Sequence, residues 1–351
     1  MNNKRIAWLD YARVFAIMCV ILVHTTERIY HLTSGLSVFE SFFPHLITLS
    51  AFTLGRMGVP VFFFLTGYLM LDRSFTPEST AAFYRQKFGG LLITTEIWVI
   101  LCHFFSVIYH QKSFQLVTLA KNILFLKNFS MSHLWYMPVI LGIYLFIPFL
   151  SAALSHIKIQ MLYLPFSLAF IYLFIVPVCN VFLTASSLSA LSPLFDFSFS
   201  GGIYGFCVIL GYFVKKGSFK QIPSSVLIFL GCFCFGLTVF SQYYSSEHGI
   251  RYFVWYNSGT LVIACLCVFI LFSRCHLKSR QWISALARDS FGIYLFHSEL
   301  NMVIIRCMSS IKIPSVVKLI IVFFLTLVIS WSVVHVLAKE HHLRRYLFFQ
   351  K

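Results

Sequence analysis

Long apolar stretches, separated by short polar connections, are the feature that most limits how this chain can fold. A helix that crosses a lipid bilayer needs roughly 20 mainly apolar residues. Ten candidate stretches can be marked, at residues 6–26, 52–72, 88–109, 133–153, 160–183, 201–215, 224–243, 256–273, 287–307 and 314–338. The sequence therefore predicts an all-α, polytopic integral membrane protein with ten transmembrane helices.

The composition excludes an ordinary water-soluble domain. Charged residues make up 11% of the 351 positions and hydrophobic residues 59%, whereas a soluble domain carries about 25% charged residues. Too few charged side chains are present to cover a surface that faces water. Because the polar connections are also short, we expect one transmembrane domain over residues 1–351.

Basic side chains are distributed unevenly between alternate connections. If the N-terminus is cytoplasmic, 17 of the 27 Lys and Arg residues fall on the inner side, eight fall on the outer side, and Arg13 and Arg56 lie within helices. The outer eight are Arg28, Lys112, Lys121, Lys127, Arg251, Arg306, Lys312 and Lys318. Positive charge favours the cytoplasmic side of a membrane protein, which predicts a multi-pass protein of the bacterial inner membrane with both termini cytoplasmic. The net charge of +16 then reflects topology, and no nucleic-acid partner is predicted.

The first apolar stretch contains three ionisable residues, Asp10, Arg13 and His24. Such residues inside a membrane cost several kcal/mol and are candidates for function. Asp10 and Arg13 are three residues apart, so they share a helix face and can neutralise each other. Arg13 and His24 are eleven residues apart, which on a helix is about three turns, with a rotation of ~20° and a separation of ~16 Å. One helix face is therefore expected to present a cation and, further along, an imidazole.

This spacing suits a long, thin, anionic donor such as an acyl-coenzyme A, with its phosphates near Arg13 and its thioester near His24. A neutral His24 can accept a proton from a hydroxyl group, which is general-base chemistry. Glu27, three residues further on, can orient the imidazole as carboxylates do in catalytic triads. The alternative is that Asp10 and Arg13 form a purely structural ion pair and that His24 is an interfacial residue.

Further polar and aromatic residues recur at the ends of predicted spans. They are Arg56, His133, Trp135, Tyr136, Tyr294 and His297. Trp and Tyr at these positions are equally typical of an aromatic belt at the membrane surface. The sequence has no C-x-x-C pair, and no span contains two histidines at a spacing of four, so no metal site is predicted.

Four segments in order carry a resemblance. They are Leu9-Asp10 with Arg13 and His24, Phe62-Phe-x-x-Thr-Gly-Tyr-Leu69, His133-Leu-Trp-Tyr136, and Ser290-Phe-Gly-Ile-Tyr-Leu-Phe-His297. Together they resemble the signatures of acyltransferase family three, bacterial membrane O-acyltransferases with about ten spans. Within that family, the sequence is most similar to the type that modifies enterobacterial common antigen. It departs from the family pattern at Thr66, where serine is usual.

The resemblance implies a set of roles. His24, with Glu27 beside it, would be the catalytic residue, either as general base or as carrier of the acyl group. Arg13 with Asp10 would bind the acyl-CoA donor, most simply acetyl-CoA. Arg85 and Lys87 would hold the nucleotide phosphates. The acceptor, a hydroxyl of a cell-surface glycan or its lipid-linked precursor, would meet Arg56, His133, Trp135, Tyr136, Tyr294 and His297. Membrane lipids are the remaining expected partner, and the oligomeric state stays open.

A saccharide transporter or flippase is the alternative function, with the face of Asp10, Arg13 and His24 as a proton or substrate pathway. Many secondary transporters contain internal repeats and interrupted helices. The two halves of this sequence do not mirror each other, which favours the enzyme.

Overall fold

The computed structural model describes residues 6–32, 42–197, 201–250 and 252–350, and all regular secondary structure within them is helical. Lys4, Arg5, Arg251 and Lys351, which enter the charge argument above, lie outside the described residues. The helices are α1 (Ala7–Ile29), α2 (Phe42–Arg56), α3 (Gly58–Met70), α4 (Pro77–Phe83), α5 (Gly89–Tyr109), α6 (Leu116–Ile123), α7 (Tyr136–Ser155), α8 (Tyr163–Phe170), α9 (Val176–Ala185), α10 (Gly202–Lys216), α11 (Ser224–Glu247), α12 (Gly259–Arg274), α13 (Gln281–Cys307) and α14 (Ser315–Leu337).

Within the described residues, seven helical segments are long and apolar enough to cross a membrane, judged by length and composition. They are Ala7–Ile29, Phe42–Met70, Pro77–Tyr109, Ser132–Ser155, Ile159–Ala185, Ser224–Glu247 and Ser315–Leu337. The apolar helix α12 is shorter, and α10, α12 and α13 lie at the other three predicted positions. The prediction of an all-helical, multi-pass membrane protein is confirmed.

Helix α1 lies at the centre of the molecule. It packs against α2, α3, α12, α13 and α14. Its small and branched residues Ala12, Ala16, Ile17 and Ile21 are all fully buried. Because apolar neighbours surround this helix on several sides, its ionisable residues face protein.

Two glycines let α2 and α3 approach α1 closely. A Cβ atom at Gly55 would lie 2.5 Å from the backbone nitrogen of Val23, and one at Gly58 would lie 2.5 Å from the carbonyl oxygen of Ala16. Small residues allow such helix contacts inside membranes. The close approach brings Arg56, the last residue of α2, against the C-terminal part of α1.

Candidate active site

On α1, Val20 lies between Arg13 and His24, seven residues after the first and four before the second. These separations place all three side chains on one helix face. Arg13 and Val20 line an internal cavity. His24 lies one turn beyond Val20, and its side chain is 14% exposed. We call the end of the helix bundle near Arg13 the basic end and the end near His24 the histidine end.

At the histidine end, a chain of two contacts joins His24, Glu27 and Arg56. His24 Nδ1 lies 3.0 Å from Glu27 Oε2, and Arg56 donates a hydrogen bond of 2.6 Å to Glu27 Oε1. An ionised carboxylate only accepts hydrogen bonds, so Nδ1 of the imidazole carries the proton. The other ring nitrogen, Nε2, is then left with a lone pair, which is the form a general base requires.

Arg56 is held in place by aromatic rings. Its guanidinium lies 4.8 Å from the centre of the Phe52 ring and 4.4 Å from the centre of the Trp255 ring, which stabilises a cation. It also donates a hydrogen bond of 3.3 Å to the Tyr256 hydroxyl. Trp135 stacks on the ring of Tyr256, with 5.5 Å between the ring centres. Arg56 thus links Glu27 to Tyr256, on which Trp135 stacks.

Two more histidines adjoin His24. The ring of His297 lies 5.4 Å from the ring of His24 and 5.4 Å from that of His133. His133 Nε2 faces the carbonyl oxygen of Leu295 at 3.3 Å, and His297 Nδ1 faces that of Tyr294 at 2.6 Å. Because a carbonyl oxygen only accepts, these two nitrogens carry the protons.

The opposite nitrogens of these two rings are unused. His133 Nδ1 and His297 Nε2 are buried without a hydrogen-bond partner in the described part of the chain. Tyr294 fixes the neighbouring backbone by donating a hydrogen bond to the carbonyl oxygen of His133. The predicted residues His24, His133, Tyr294 and His297 therefore form one cluster, which we call the histidine cluster.

Sequence reasoning missed two buried polar residues beside this cluster. Cys102 donates a hydrogen bond of 2.8 Å to Glu299 Oε1, and Glu299 Oε1 lies 3.9 Å from His133 Nε2. Ligand atoms of these three side chains lie within 4.8 Å of one another, close enough to hold a metal ion. The residues come from three separate segments, so no local spacing could have revealed them.

The sequence analysis placed Arg28 in an outer connection between spans, and the structure places it elsewhere. It lies in the last turn of α1 and donates hydrogen bonds to Asn301 at 2.8 Å and Ser298 at 2.6 Å. Its position four residues after His24 is the signal that could have placed it near the cluster. Arg28 thereby ties α1 to α13 beside the histidine cluster.

The cavity that Arg13 and Val20 line is a mainly apolar channel. It has a volume of about 260 Å³ and is also lined by Val59 and Leu65, and by Tyr136 and Tyr294. Tyr136 packs against Tyr294, with 5.5 Å between the ring centres. The lining of the channel thus includes Arg13 and two tyrosines, one of which belongs to the histidine cluster.

The basic end is open and carries several cations. Arg13, Arg73, Lys87, Lys215 and Arg288 line one wide cavity there. Arg85 and Lys87 line a second cavity next to it.

Asp10 is fixed within this end. It accepts hydrogen bonds from Arg13 at 3.0 Å and Ser284 at 2.9 Å. The residues predicted for the donor therefore lie together at the basic end, and those predicted for catalysis lie together at the histidine end.

Comparison with known proteins identifies the family. The family model described as an acyltransferase domain matches residues 6–335. The chain belongs to this acyltransferase family. The predicted family resemblance is confirmed, and the protein is a membrane acyltransferase, so the family match does not favour the transporter alternative.

One curated protein shares a shorter segment with the chain. An amino-acid racemase from Enterococcus faecalis is 28% identical over 136 residues, which cover 37% of this chain and 17% of that protein. The similarity therefore concerns a minor part of both proteins. No solved structure matches the chain.

Proposed function

We propose that this acyltransferase moves an acetyl group from cytoplasmic acetyl-CoA to a hydroxyl of a cell-surface glycan or its lipid-linked precursor. In this proposal the chain crosses the bacterial inner membrane ten times with both termini in the cytoplasm. The basic end then faces the cytoplasm, where acyl-CoA is available, and the histidine end faces outward. Enterobacterial common antigen and lipopolysaccharide O-antigen are the first acceptors to test, because of the sequence resemblance.

The observation that carries the proposal is the channel between the two ends. Its lining contains the cation Arg13, mainly apolar side chains, and the tyrosines Tyr136 and Tyr294. Acyl-CoA has matching parts, since it joins a phosphorylated nucleotide through a thin arm to an acyl thioester. A donor placed with its phosphates at Arg13 would extend its thioester toward the histidine cluster.

The chemistry follows from the tautomer of His24. Glu27 holds the Nδ1 proton of His24 at 3.0 Å, so Nε2 takes the proton of the acceptor hydroxyl while its oxygen attacks the thioester carbonyl. The tetrahedral intermediate collapses by breaking the carbon–sulfur bond, and the imidazolium returns its proton to the departing thiolate. Glu27 stabilises the transient imidazolium, and Arg56 keeps Glu27 oriented.

The test is the substitution His24→Ala. Because general-base catalysis contributes about 10²–10⁴-fold, we expect acylation to fall by that factor while the protein still inserts into the membrane. Mass spectrometry of the glycan from cells that express the variant measures the loss of one acetyl group per repeat. The matched control is His156→Ala, since His156 is exposed and lies just after the end of α7. Equal acetylation by His24→Ala and the parent would refute this role for His24.

A further inference from the structure

The C-terminal tail, residues 338–350, is fastened against helix α5. The Thr94 hydroxyl donates a hydrogen bond of 2.8 Å to the carbonyl oxygen of Tyr346, and the Trp98 indole donates one of 2.8 Å to that of Leu347. Both donors lie in a helix that is part of a predicted span. The tail is therefore held in one place.

A buried carboxylate anchors the end of the tail. Asp289 on α13 is fully buried and accepts a hydrogen bond of 3.3 Å from the Gln350 amide. The same carboxylate contacts His335 at 2.8 Å and the Trp331 indole at 3.2 Å, both on α14. Asp289 thus joins the tail to two helices.

Two glycines make room for two rings of the tail. A Cβ atom at Gly90 would lie 2.7 Å from the Phe349 ring, and one at Gly292 would lie 2.8 Å from the Phe348 ring. Phe348 is 1% exposed. A larger residue at either position would collide with these rings, so the tail packs closely against α5 and α13 because both positions are glycine.

The tail and the turn before α5 enclose a cavity of about 570 Å³, which we call the tail cavity. Arg85 and Lys87 line it from the turn, and His341 and Arg345 line it from the tail. Among the described residues that line it, none is Asp or Glu. The tail cavity therefore has a positive potential, which favours an anionic ligand.

Local backbone geometry is unusual on both walls of the tail cavity. Residues Tyr84–Phe88 and Leu343–Leu347 each form a π-helical turn. Such turns are rare and are frequent at functional sites. The first turn carries Arg85 and Lys87, and the second carries Arg345.

The tail cavity adjoins the channel and the wide basic cavity, since Phe349 lines all three. Arg13 lines both the channel and the wide basic cavity, and Lys87 lines both the wide basic cavity and the tail cavity. A ligand whose arm enters the channel at Arg13 would reach the tail cavity past Lys87. The tail follows the part of the chain that matches the family, which ends at residue 335.

We propose that the tail cavity binds the 3′-phosphoadenosine part of the acyl-CoA donor, with Arg345 as a phosphate ligand supplied by the tail. The positive charge of Arg345 attracts a phosphate, and the aromatic rings of Tyr346 and Phe349 line the same cavity, where a base can stack on them. This inference rests on the proposed function, because it assigns the far end of the same donor.

The experiment compares the affinity of purified full-length protein, in nanodiscs, for CoA and for CoA that lacks the 3′-phosphate. Isothermal titration calorimetry measures both affinities. We expect the parent to bind CoA about 10-fold more tightly, as a charge-assisted hydrogen bond allows. In Arg345→Ala this preference should fall to about one, and Arg345→Lys should keep most of it.

The matched control is Lys339→Ala, which removes the same charge from an exposed position of the tail outside the cavity lining. It should keep the parental preference. An unchanged preference in Arg345→Ala would overturn the inference. A second result would also overturn it: parent and Arg345→Ala bind CoA with equal affinity, while the variant retains less phosphatidylglycerol. The cavity would then bind a lipid headgroup.

Adenosine 3′,5′-bisphosphate separates this inference from the proposed function. If the bisphosphate binds the parent and not Arg345→Ala while no acyl transfer is found, the subsite stands and the proposed function fails. If acyl transfer occurs but the bisphosphate binds parent and variant equally, the subsite fails and the function stands.

Discussion

The two ends of the channel differ in how their charged side chains are arranged. At the histidine end, Glu27 lies between His24 and Arg56, 3.0 Å from one and 2.6 Å from the other. At the basic end, Asp10 and Asp72 line the wide cavity together with a larger number of cations, and Arg85, Lys87 and Arg345 share the tail cavity, whose described lining contains no acidic residue. Charges that compensate each other in a fixed geometry are suited to orient a catalytic group. An excess of positive charge is suited to an anion that arrives from solution.

This comparison predicts different consequences for substitutions at the two ends. At the histidine end a change should act on kcat, because the groups there act on the reacting atoms. At the basic end a change should act on the KM of the donor. The three predictions below run from the largest expected effect to the smallest.

Removing the charge of Glu27 should cause the largest loss. Glu27→Gln keeps the shape of the side chain but removes the carboxylate that holds the Nδ1 proton of His24. We expect kcat for acetyl transfer to fall by about 10²-fold or more, with little change in the KM for acetyl-CoA. Steady-state kinetics of the purified protein measures both.

The matched control for this substitution is Glu247→Gln, because Glu247 is exposed at the end of α11. A raised donor KM with an unchanged kcat in Glu27→Gln would contradict the assigned role.

Removing Arg13 should weaken donor binding. Arg13→Ala deletes the cation at the mouth of the channel, so we expect the KM for acetyl-CoA to rise by about 10- to 10²-fold, the value of a hydrogen bond to a charged group. The change in kcat should be smaller. Donor titrations at saturating acceptor measure the two constants.

Asp10 complicates this variant, because its carboxylate is 2% exposed and would lose the contact with Arg13. The double variant Asp10→Asn/Arg13→Ala removes that buried charge, and its KM should stay raised. Recovery of the parental KM in the double variant would show that Arg13 acts only through Asp10.

Arg56→Lys should have the smallest effect of the three. Lysine keeps the positive charge but loses the planar group that lies against Phe52 and Trp255, and the two residues are not interchangeable at stacked sites. We expect kcat to fall several-fold, about 3- to 10-fold, since stacking of this kind is worth about 0.5–2 kcal/mol.

Arg345→Lys in the tail gives the contrasting case, since charge alone should preserve most of its role. If both lysine variants lost activity equally, the difference between the two ends would not hold. Parallel kinetic measurements on the two variants decide this.

The sequence predicts those helices and contacts that are formed by residues close together in the chain. Helices lie at all the predicted apolar stretches, and Asp10 and Arg13 form the predicted pair. The contact of His24 with Glu27 also joins residues three apart. In each case, helical periodicity alone fixes which side chains meet.

Contacts between distant segments could not be predicted in this way. Arg56 reaches Glu27 because Gly55 and Gly58 let α2 and α3 lie close to α1, and no local pattern shows which helices become neighbours. The same applies to Cys102 and Glu299, which are 197 residues apart in the chain. The roles predicted for the site residues in catalysis, donor binding and acceptor binding, and the expected absence of a metal, all stay predictions.

Helix α13 joins the two ends of the molecule without a break. Asp289 secures the tail at one end, Tyr294 forms a wall of the channel, and His297 lies next to His24. Eight residues of helix, or ~12 Å, separate Asp289 from His297, and no loop between them can absorb a displacement. A small molecule wedged between the tail and α13 would tilt this rod and misalign His297, so an inhibitor bound at the tail would disable chemistry at the histidine cluster without touching it.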